Sequence, residues 1–289
     1  MKRDRLSFIA GFMPALTMAL LMGFEYLIGS NAVKTEYLWV AAAETVPFLL
    51  PFLIIFFFKK VSKREVPSGM AGFTRRAVPF VIFASVGTAL LSFLLNCAAS
   101  LFFERTLYRP IQYIDSMEST VAAILIIVVL PSLFEELFFR EGLLFAVEGY
   151  GASSAIFLSA LAFALAHGDV ENLLGPFVAG LVYGYMVYTL GSIWPAIIAH
   201  MANNAFFMIM NYTTRAYETL GIWPYFILLC TVVFAFFLFL AMRSLGKLIE
   251  KGKIRRFRRA GLKGFVEGLL FSPGIWLMAL MFLIKVIYL

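Results

Sequence analysis

Apolar residues fill this chain in long runs rather than in the alternating patterns of soluble strands or the one-sided patterns of soluble helices. Crossing the roughly 30 Å hydrocarbon core of a bilayer takes about 20 helical residues. Runs of about that length lie at residues 6–28, 38–58, 77–103, 119–147, 152–167, 173–190, 193–211, 219–242 and 265–289. They predict an all-α, polytopic membrane bundle of eight or nine transmembrane helices. Runs five to seven are short, so we expect tilted, broken or partly inserted helices there.

The composition also indicates a membrane protein. Hydrophobic residues make up 62% of the chain and charged residues 14%, whereas soluble domains have roughly 45–50% and about 25%. No stretch has the mixed composition of a soluble domain, so we expect one membrane-embedded unit over residues 1–289. Cys97 and Cys230 lie far apart in apolar runs and indicate neither a disulfide nor a redox site.

The basic residues indicate topology rather than nucleic-acid binding. The net charge of +7 comes from Lys and Arg that cluster before run one, after run two and between Arg243 and Lys263. All three clusters fall on one side if each of the first eight runs crosses once. The positive-inside rule then predicts a cytoplasmic N-terminus, and we expect the cell membrane as the location. Residues 243–264 are predicted to form a basic cytoplasmic loop or surface helix near anionic headgroups.

Small residues in runs five and six predict where the bundle is packed most tightly. Gly180 and Gly184 have the GxxxG spacing that lets helices approach closely. Run five contributes further small side chains along its length. These two helices are therefore expected at the centre of the bundle. The ninth run could cross the membrane or return as a hairpin, and we favour a crossing.

Charged side chains in the fourth run are the first candidates for chemistry, because ionisable groups in lipid are costly. Glu136 and Arg140 are four residues apart and can pair on one helix face. Glu135 points about 100° away from Glu136, so the two carboxylates can take different roles. Glu25 and Glu44 also lie in apolar runs but lack companions at matching spacing, and we leave them out of the predicted site.

Both histidines of the chain lie in apolar helical context, each with a partner four residues away. Phe163 precedes His167, and His200 precedes Asn204 at this spacing. Taken singly, such a histidine or asparagine more often serves as a helix contact. Together with the acidic segment they could hydrolyse a bond, because they offer a general base, groups that polarise a water and donors for an oxyanion.

Three motifs in chain order resemble those of the CAAX prenyl endopeptidase and bacteriocin-processing family of intramembrane peptidases, also called the abortive-infection family. The resemblance covers about residues 119–211, which we take as the catalytic core, and the motifs use both histidines of the chain. The motifs are EExxxR at Glu135, Glu136 and Arg140, FxxxH at Phe163 and His167, and HxxxN at His200 and Asn204.

The resemblance implies an all-helical membrane fold with a cavity, open towards the cytoplasmic side, in which a peptide bond is cleaved. It assigns water activation to Glu135 with His167, and oxyanion stabilisation to His200 with Asn204. One position fits poorly. Glu135 and His200 fall in the cytoplasmic halves of their runs, whereas His167 falls near the far end of run five.

The resemblance further implies that Glu136 and Arg140 support the geometry and charge of the site. We expect a glutamate-activated water and no cofactor. A zinc-dependent reaction at Glu135, His167 and His200 stays open, since two histidines and a carboxylate are a legitimate catalytic zinc set.

Two other classes of function use the same residues. Intramembrane Glu, His and Arg side chains also form proton relays in transporters, although the sequence contains no visible repeat. A non-catalytic membrane scaffold that regulates a partner is the second alternative. For a peptidase, the sequence leaves the substrate open among a prenylated CAAX tail, a bacteriocin leader, a pheromone precursor and another membrane-associated peptide or protein.

Overall fold

A computed structural model describes residues 5–29, 37–61, 72–102, 120–255, 261–270 and 272–288. Within these ranges every regular element is helical. The helices are α1 (Arg5–Gly29), α2 (Tyr37–Val61), α3 (Val78–Ser100), α4 (Thr120–Tyr150), α5 (Ala152–Ala166), α6 (Leu174–Leu190), α7 (Trp194–Thr219), α8 (Trp223–Glu250), α9 (Leu262–Leu270) and α10 (Pro273–Tyr288).

The helices follow the apolar runs to within a few residues at most ends. In the described ranges, α1 to α4 and α8 are long and apolar enough to cross a membrane, and α9 with α10 would add a sixth span if the bent pair crosses once. Helices α5 and α6 are apolar but have only 15 and 17 residues. The all-α membrane bundle is confirmed, and the count of eight or nine crossings stays a prediction.

The small residues of α5 and α6 allow these two helices to touch almost backbone to backbone. A Cβ added to Gly180 would lie 3.0 Å from Cα of Ala160, and one added to Gly184 would lie 3.1 Å from Cγ2 of Ile156. Any larger residue at these glycines would separate the helices. The tight packing expected from the GxxxG spacing is therefore confirmed.

Helix α4 departs from regular α-helical winding in two stretches. Two π-helical stretches, Ile124–Val129 and Leu137–Leu144, alternate with α-helical turns. A π turn moves the backbone hydrogen bonds from the fourth to the fifth residue and is common at functional sites. The second stretch begins directly after Glu136 and contains Arg140. Hydropathy detects only one long apolar run here and gives no sign of this winding.

The two ends of the bundle carry different side chains. The start of α1 meets the end of α4, where Ser7 Oγ donates to the Ala146 carbonyl at 2.8 Å. The end of α6 meets the segment after α8, where the Arg255 N–H donates to the Thr189 carbonyl at 2.8 Å. These contacts gather Lys59 and the basic residues after α8 at one end, which we call the basic end. The ends of α1, α3, α5 and α10 meet at the opposite end.

The predicted basic loop at 243–264 is partly helical. Helix α8 runs without a break through its apolar part to Glu250, so Arg243 and Lys247 lie on the last turns of a membrane helix. Residues 256–260 lie outside the described ranges, and α9 begins at Leu262. Basic residues at the end of an apolar helix can reach the headgroup region with their side chains.

Candidate active site

A buried ion-pair chain links α4 to α7. Glu136 Oε2 lies 3.1 Å from Arg140 Nε, and both side chains are fully buried. Glu136 Oε1 accepts a hydrogen bond from His200 Nδ1 at 3.1 Å. The pairing of Glu136 with Arg140 expected from the sequence is confirmed, and His200 is added to it. One carboxylate therefore compensates the charge of Arg140 and orients the imidazole.

Aromatic rings enclose both partners of Glu136. The Arg140 Cζ lies 4.5 Å from the centroid of the Phe163 ring and 5.7 Å from that of Tyr183. Tyr183 stacks on the His200 ring at 5.5 Å and 26°, and Phe163 meets the same imidazole edge-on at 5.4 Å. His200 is thus fixed by a carboxylate and two rings. Sequence reasoning missed Tyr183, because an aromatic residue in an apolar run gives no signal of its own.

His167 directly follows the last residue of α5 and is held by its own helix. Its Nδ1 lies 2.9 Å from the Phe163 carbonyl oxygen. A carbonyl can only accept, so Nδ1 carries the proton and Nε2 of the neutral ring is left as an acceptor. The Phe163 ring packs on the imidazole at 5.0 Å. Phe163 therefore positions both histidines, with its carbonyl and ring on His167 and its ring on His200.

Glu135 is buried but takes no part in the hydrogen bonds that hold His167 and His200. Its side chain is 8% exposed, and Oε2 is buried without a hydrogen-bond partner. Glu44 of α2 is close enough to interact electrostatically with Glu135. Glu44 was not predicted to belong to the site, because nothing in the spacing of α2 indicates that it faces α4.

Asn204 ties α7 to the first π-helical stretch of α4. Its Nδ2 donates to the Ile127 carbonyl at 3.3 Å and lies 3.5 Å from Ser132 Oγ. Pro131, four positions after Ile127, has no N–H and so cannot make an α-helical bond to this carbonyl. The sequence of α4 thus provides the acceptor that Asn204 uses.

A cavity of about 440 Å³ connects the motif residues of α5 and α7. His167, His200 and Asn204 line it together with Phe163 and Tyr183, whereas Glu135 is not among the lining residues. Pockets of this volume suit a molecule of drug size. The cavity can therefore hold a short peptide segment.

The mouth of the cavity, which we take as the side where Glu25 is 58% exposed, contains an ion pair that sequence reasoning did not find. Glu25 Oε2 lies 2.6 Å from Lys285 Nζ, and both residues line the cavity. Lys285 lies against Gly168, since a Cβ there would be 2.6 Å from its Nζ. Gly168 also has φ +68°, in the left-handed region that residues with a Cβ rarely adopt. Glycine is therefore favoured here by its backbone conformation as well as by the lack of space for a side chain. The pair joins α1 to α10, helices from opposite ends of the chain.

The position of His167 follows from the length of α5. Fifteen residues rise about 22 Å, less than the roughly 30 Å hydrocarbon core. A helix starting at the basic end therefore stops inside the membrane, where His167 faces the same cavity as His200. This resolves the poor fit in the sequence analysis without a break in α5.

The cavity mouth lies at the end opposite the basic end. Glu25, His167 and Lys285 belong to the ends of α1, α5 and α10, whereas Lys59 and Arg255 lie at the basic end. Two expectations from the sequence therefore cannot both hold, namely a cytoplasmic basic end and a cavity that opens towards the cytoplasm. If the basic end is cytoplasmic, the described residues at the mouth place it on the opposite side of the membrane.

Among the described residues, no three His, Cys, Asp or Glu side chains are grouped closely enough to hold a metal ion. The zinc set of Glu135, His167 and His200 is accordingly not assembled in this arrangement. Both histidines do have Nδ1 occupied by an acceptor, as metal-ligating histidines have. The carboxylate that would complete the set is not grouped with them.

Comparison with known protein families finds a match over the middle of the chain. Residues 117–206 match the family model described as type II CAAX prenyl endopeptidase, Rce1-like. The match includes all seven motif residues and runs from α4 into α7. No curated protein and no solved structure matches the chain. The resemblance stated from the motifs is confirmed: residues 117–206 of this integral membrane protein match the Rce1-like family of type II CAAX prenyl endopeptidases.

Proposed function

We propose that the protein is an intramembrane endopeptidase that cleaves membrane-associated peptides or proteins with a water activated by Glu135. The observation that carries this proposal is the buried chain from Arg140 through Glu136 to His200. His200, at the end of this chain of contacts, lines the cavity together with His167 and Asn204. Such preorganised polar groups in a water-poor site are what a charged transition state requires.

Glu135 and His167 would activate the water. The free Oε2 of Glu135 can accept a proton, and His167 presents Nε2 as a second acceptor because Nδ1 is bound to its own helix. A water between two acceptors donates to both and directs its lone pair at the peptide carbonyl. Glu135 would then pass the proton to the leaving amine. A shift of Glu135 towards the cavity on substrate binding is part of this proposal.

His200 would stabilise the oxyanion as a doubly protonated ring. Nδ1 donates to Glu136, so a second proton on Nε2 would point away from the carboxylate towards a substrate. The charges balance in that state, since Glu135 and Glu136 are matched by Arg140 and the imidazolium. This balance lowers the cost of holding four charges in a buried site.

Asn204 would be the second oxyanion donor. Its amide now bonds to the Ile127 carbonyl at 3.3 Å, with a weaker approach to Ser132 at 3.5 Å. The longer contact is the one that a substrate oxyanion would replace. The Ile127 bond would then hold the amide in place during the reaction.

The experiment compares peptide termini, by mass spectrometry, in membranes from cells that make wild-type protein and cells that make Glu135→Gln at equal abundance. Termini present only with wild type are expected, and they would identify the substrate as well. Loss of a general base costs on the order of 10²–10⁴ in rate, so the variant should produce almost none of them.

Glu141→Gln is the matched control, because Glu141 is a buried glutamate of the same helix that pairs with Lys59 at 3.2 Å and does not line the cavity. Cleavage should persist in this control. Identical termini in wild type and Glu135→Gln across well-covered membrane peptides would contradict the proposal and favour a scaffold or transporter.

A further inference from the structure

The second π-helical stretch of α4 is tied to α5 by a buried hydroxyl. Ser159 Oγ donates to the Phe139 carbonyl at 2.7 Å, and both residues are fully buried. Phe139 lies inside the stretch Leu137–Leu144. A carbonyl oxygen has two lone pairs, so it can accept this bond in addition to one from the helix backbone. The contact therefore joins the backbone of α4 to a side chain of another helix.

The winding of α4 depends on contacts of this kind. A π-helical stretch rarely continues beyond a single turn, whereas Leu137–Leu144 has eight residues. The first stretch has a similar contact, because Asn204 Nδ2 of α7 donates to the Ile127 carbonyl at 3.3 Å. In both stretches a side chain of another helix thus donates to the backbone of α4. Ser159 is the residue that does so beside the buried ion pair.

The hydrogen bond from Ser159 holds the peptide group from which Arg140 starts. The Phe139 carbonyl and the Arg140 N–H belong to one planar peptide group, so a donor on this carbonyl fixes the backbone at Arg140. The Arg140 side chain pairs with Glu136 at 3.1 Å, and Glu136 accepts a hydrogen bond from His200 at 3.1 Å. A change in the tilt of this peptide group would therefore be transmitted to the His200 imidazole.

Helix α5 holds Arg140 by two side chains at once. Ser159 and Phe163 are four residues apart in α5 and lie on the same helix face. The Phe163 ring meets the Phe139 ring edge-on at 5.3 Å and lies 4.5 Å from Arg140 Cζ. The hydroxyl thus fixes the backbone beside Arg140, and the ring contacts its guanidinium.

We propose that Ser159 is a positioning residue of the active site. Through the Phe139 carbonyl it sets the place of Arg140, and through the pair of Arg140 with Glu136 it sets the orientation of His200. Ser159 is not among the described residues that line the cavity, so it acts through other residues and does not touch a substrate. This inference rests on the proposed peptidase function, and it adds a residue from outside the three sequence motifs.

The test uses the full-length protein with nitrogen-15-labelled histidine, reconstituted in lipid bilayers and studied by solid-state NMR. The chain has two histidines, so the spectrum contains two imidazoles, and His167→Gln assigns them. Ser159→Ala should shift the Nδ1 signal of His200, because its hydrogen bond to Glu136 changes. The signals of His167 should stay, since that ring is bonded to the Phe163 carbonyl of its own helix.

Two further variants separate the hydrogen bond from the volume of the side chain. Ser154→Ala is the matched control, because Ser154 is a fully buried serine of α5 whose hydroxyl donates to the Gly264 carbonyl of α9 at 3.5 Å. Neither histidine should shift in this control. Ser159→Cys keeps a side chain of similar size but donates only weakly, so it should shift the His200 signal in the same direction as Ser159→Ala.

The same variants predict a kinetic result with a synthetic peptide that the wild type cleaves. Ser159→Ala should lower kcat about two- to tenfold, the range expected for the loss of one neutral hydrogen bond. KM should change little, because Ser159 does not contact the substrate. Ser154→Ala should keep the wild-type kcat, and an equal loss in both variants would show a general loss of packing and contradict the positioning role.

The outcomes separate this inference from the proposed function. A His200 signal that stays in place in Ser159→Ala, or that moves equally in Ser154→Ala, would overturn the inference even if the wild type cleaves peptides. Movement of His200 alone, in the same direction in Ser159→Cys, supports it. If His200 moves in this way and the wild type cleaves nothing, the positioning of His200 by Ser159 stands and the peptidase function fails.

Discussion

Replacing Glu136 with Gln should strongly destabilise the protein, because it leaves the charge of Arg140 buried without a counterion. The Nε of Arg140 lies 3.1 Å from Glu136 Oε2 with both side chains fully buried. Its Nη1 and Nη2 have no hydrogen-bond partner and face the rings of Phe163 and Tyr183. Those rings attract the cation but cannot neutralise it. Glu136 is therefore the ion-pair partner on which the guanidinium depends.

The magnitude follows from the burial of the pair. Removing one partner of a buried ion pair costs about 3–5 kcal/mol, whereas replacing both by apolar residues is often neutral. Glu136→Gln and Arg140→Met alone should each fall in this range. The double variant should cost at least about 2 kcal/mol less than the sum of the two.

The assay is a titration with sodium dodecyl sulfate of the purified protein in mild micelles, with loss of helix followed by circular dichroism. Glu250→Gln, an exposed substitution, is the control and should change the unfolding free energy by no more than about 0.5 kcal/mol. Single substitutions that cost under about 1 kcal/mol, or effects that simply add in the double variant, would refute the reasoning. The double variant should also be inactive, because His200 has lost its carboxylate.

Three further predictions concern the site and its access. Tyr183→Leu should lower kcat about two- to tenfold with little change in KM, because the stack on His200 is lost. Tyr183→Phe should retain most activity, and equal loss in both variants would contradict a positioning role for the ring. In a cysteine-free background, a membrane-impermeant maleimide added to intact cells should label Asp169→Cys at the cavity mouth. It should label Lys253→Cys at the basic end only after the cells are permeabilised. Labelling of both variants without permeabilisation would contradict the placement of these residues at opposite ends of the bundle. Peptide cleavage should survive a metal chelator, and loss of activity that zinc restores would favour the metal-dependent reaction instead.

Hydropathy was sufficient for most of the fold. The first apolar run, 6–28, became Arg5–Gly29, and the fourth, 119–147, became Thr120–Tyr150. A membrane helix must bury its backbone groups within itself and expose apolar side chains to lipid, so an apolar run predicts a helix with few alternatives. The spacing of Glu136 and Arg140 likewise predicted their pairing, because the contact is local to one helix.

Contacts between distant helices were not predictable in this way. Glu25 lacked a companion in α1, since its partner Lys285 lies 260 positions later. The winding of α4 was also missed, because π turns leave no mark in hydropathy. Only Pro131 offered a hint, as a residue that frees the carbonyl used by Asn204.

The most direct test of the account is cleavage by the purified protein in liposomes. The substrate would be a synthetic peptide spanning a terminus that appears only with wild type in cells, incubated in water enriched in oxygen-18. We expect the wild type to release a product whose new carboxylate carries one heavy oxygen, and Glu135→Gln to be slower by on the order of 10²–10⁴. Equal rates for the two proteins, or no cleavage by the wild type, would contradict the assignment of Glu135 as the base of an intramembrane peptidase.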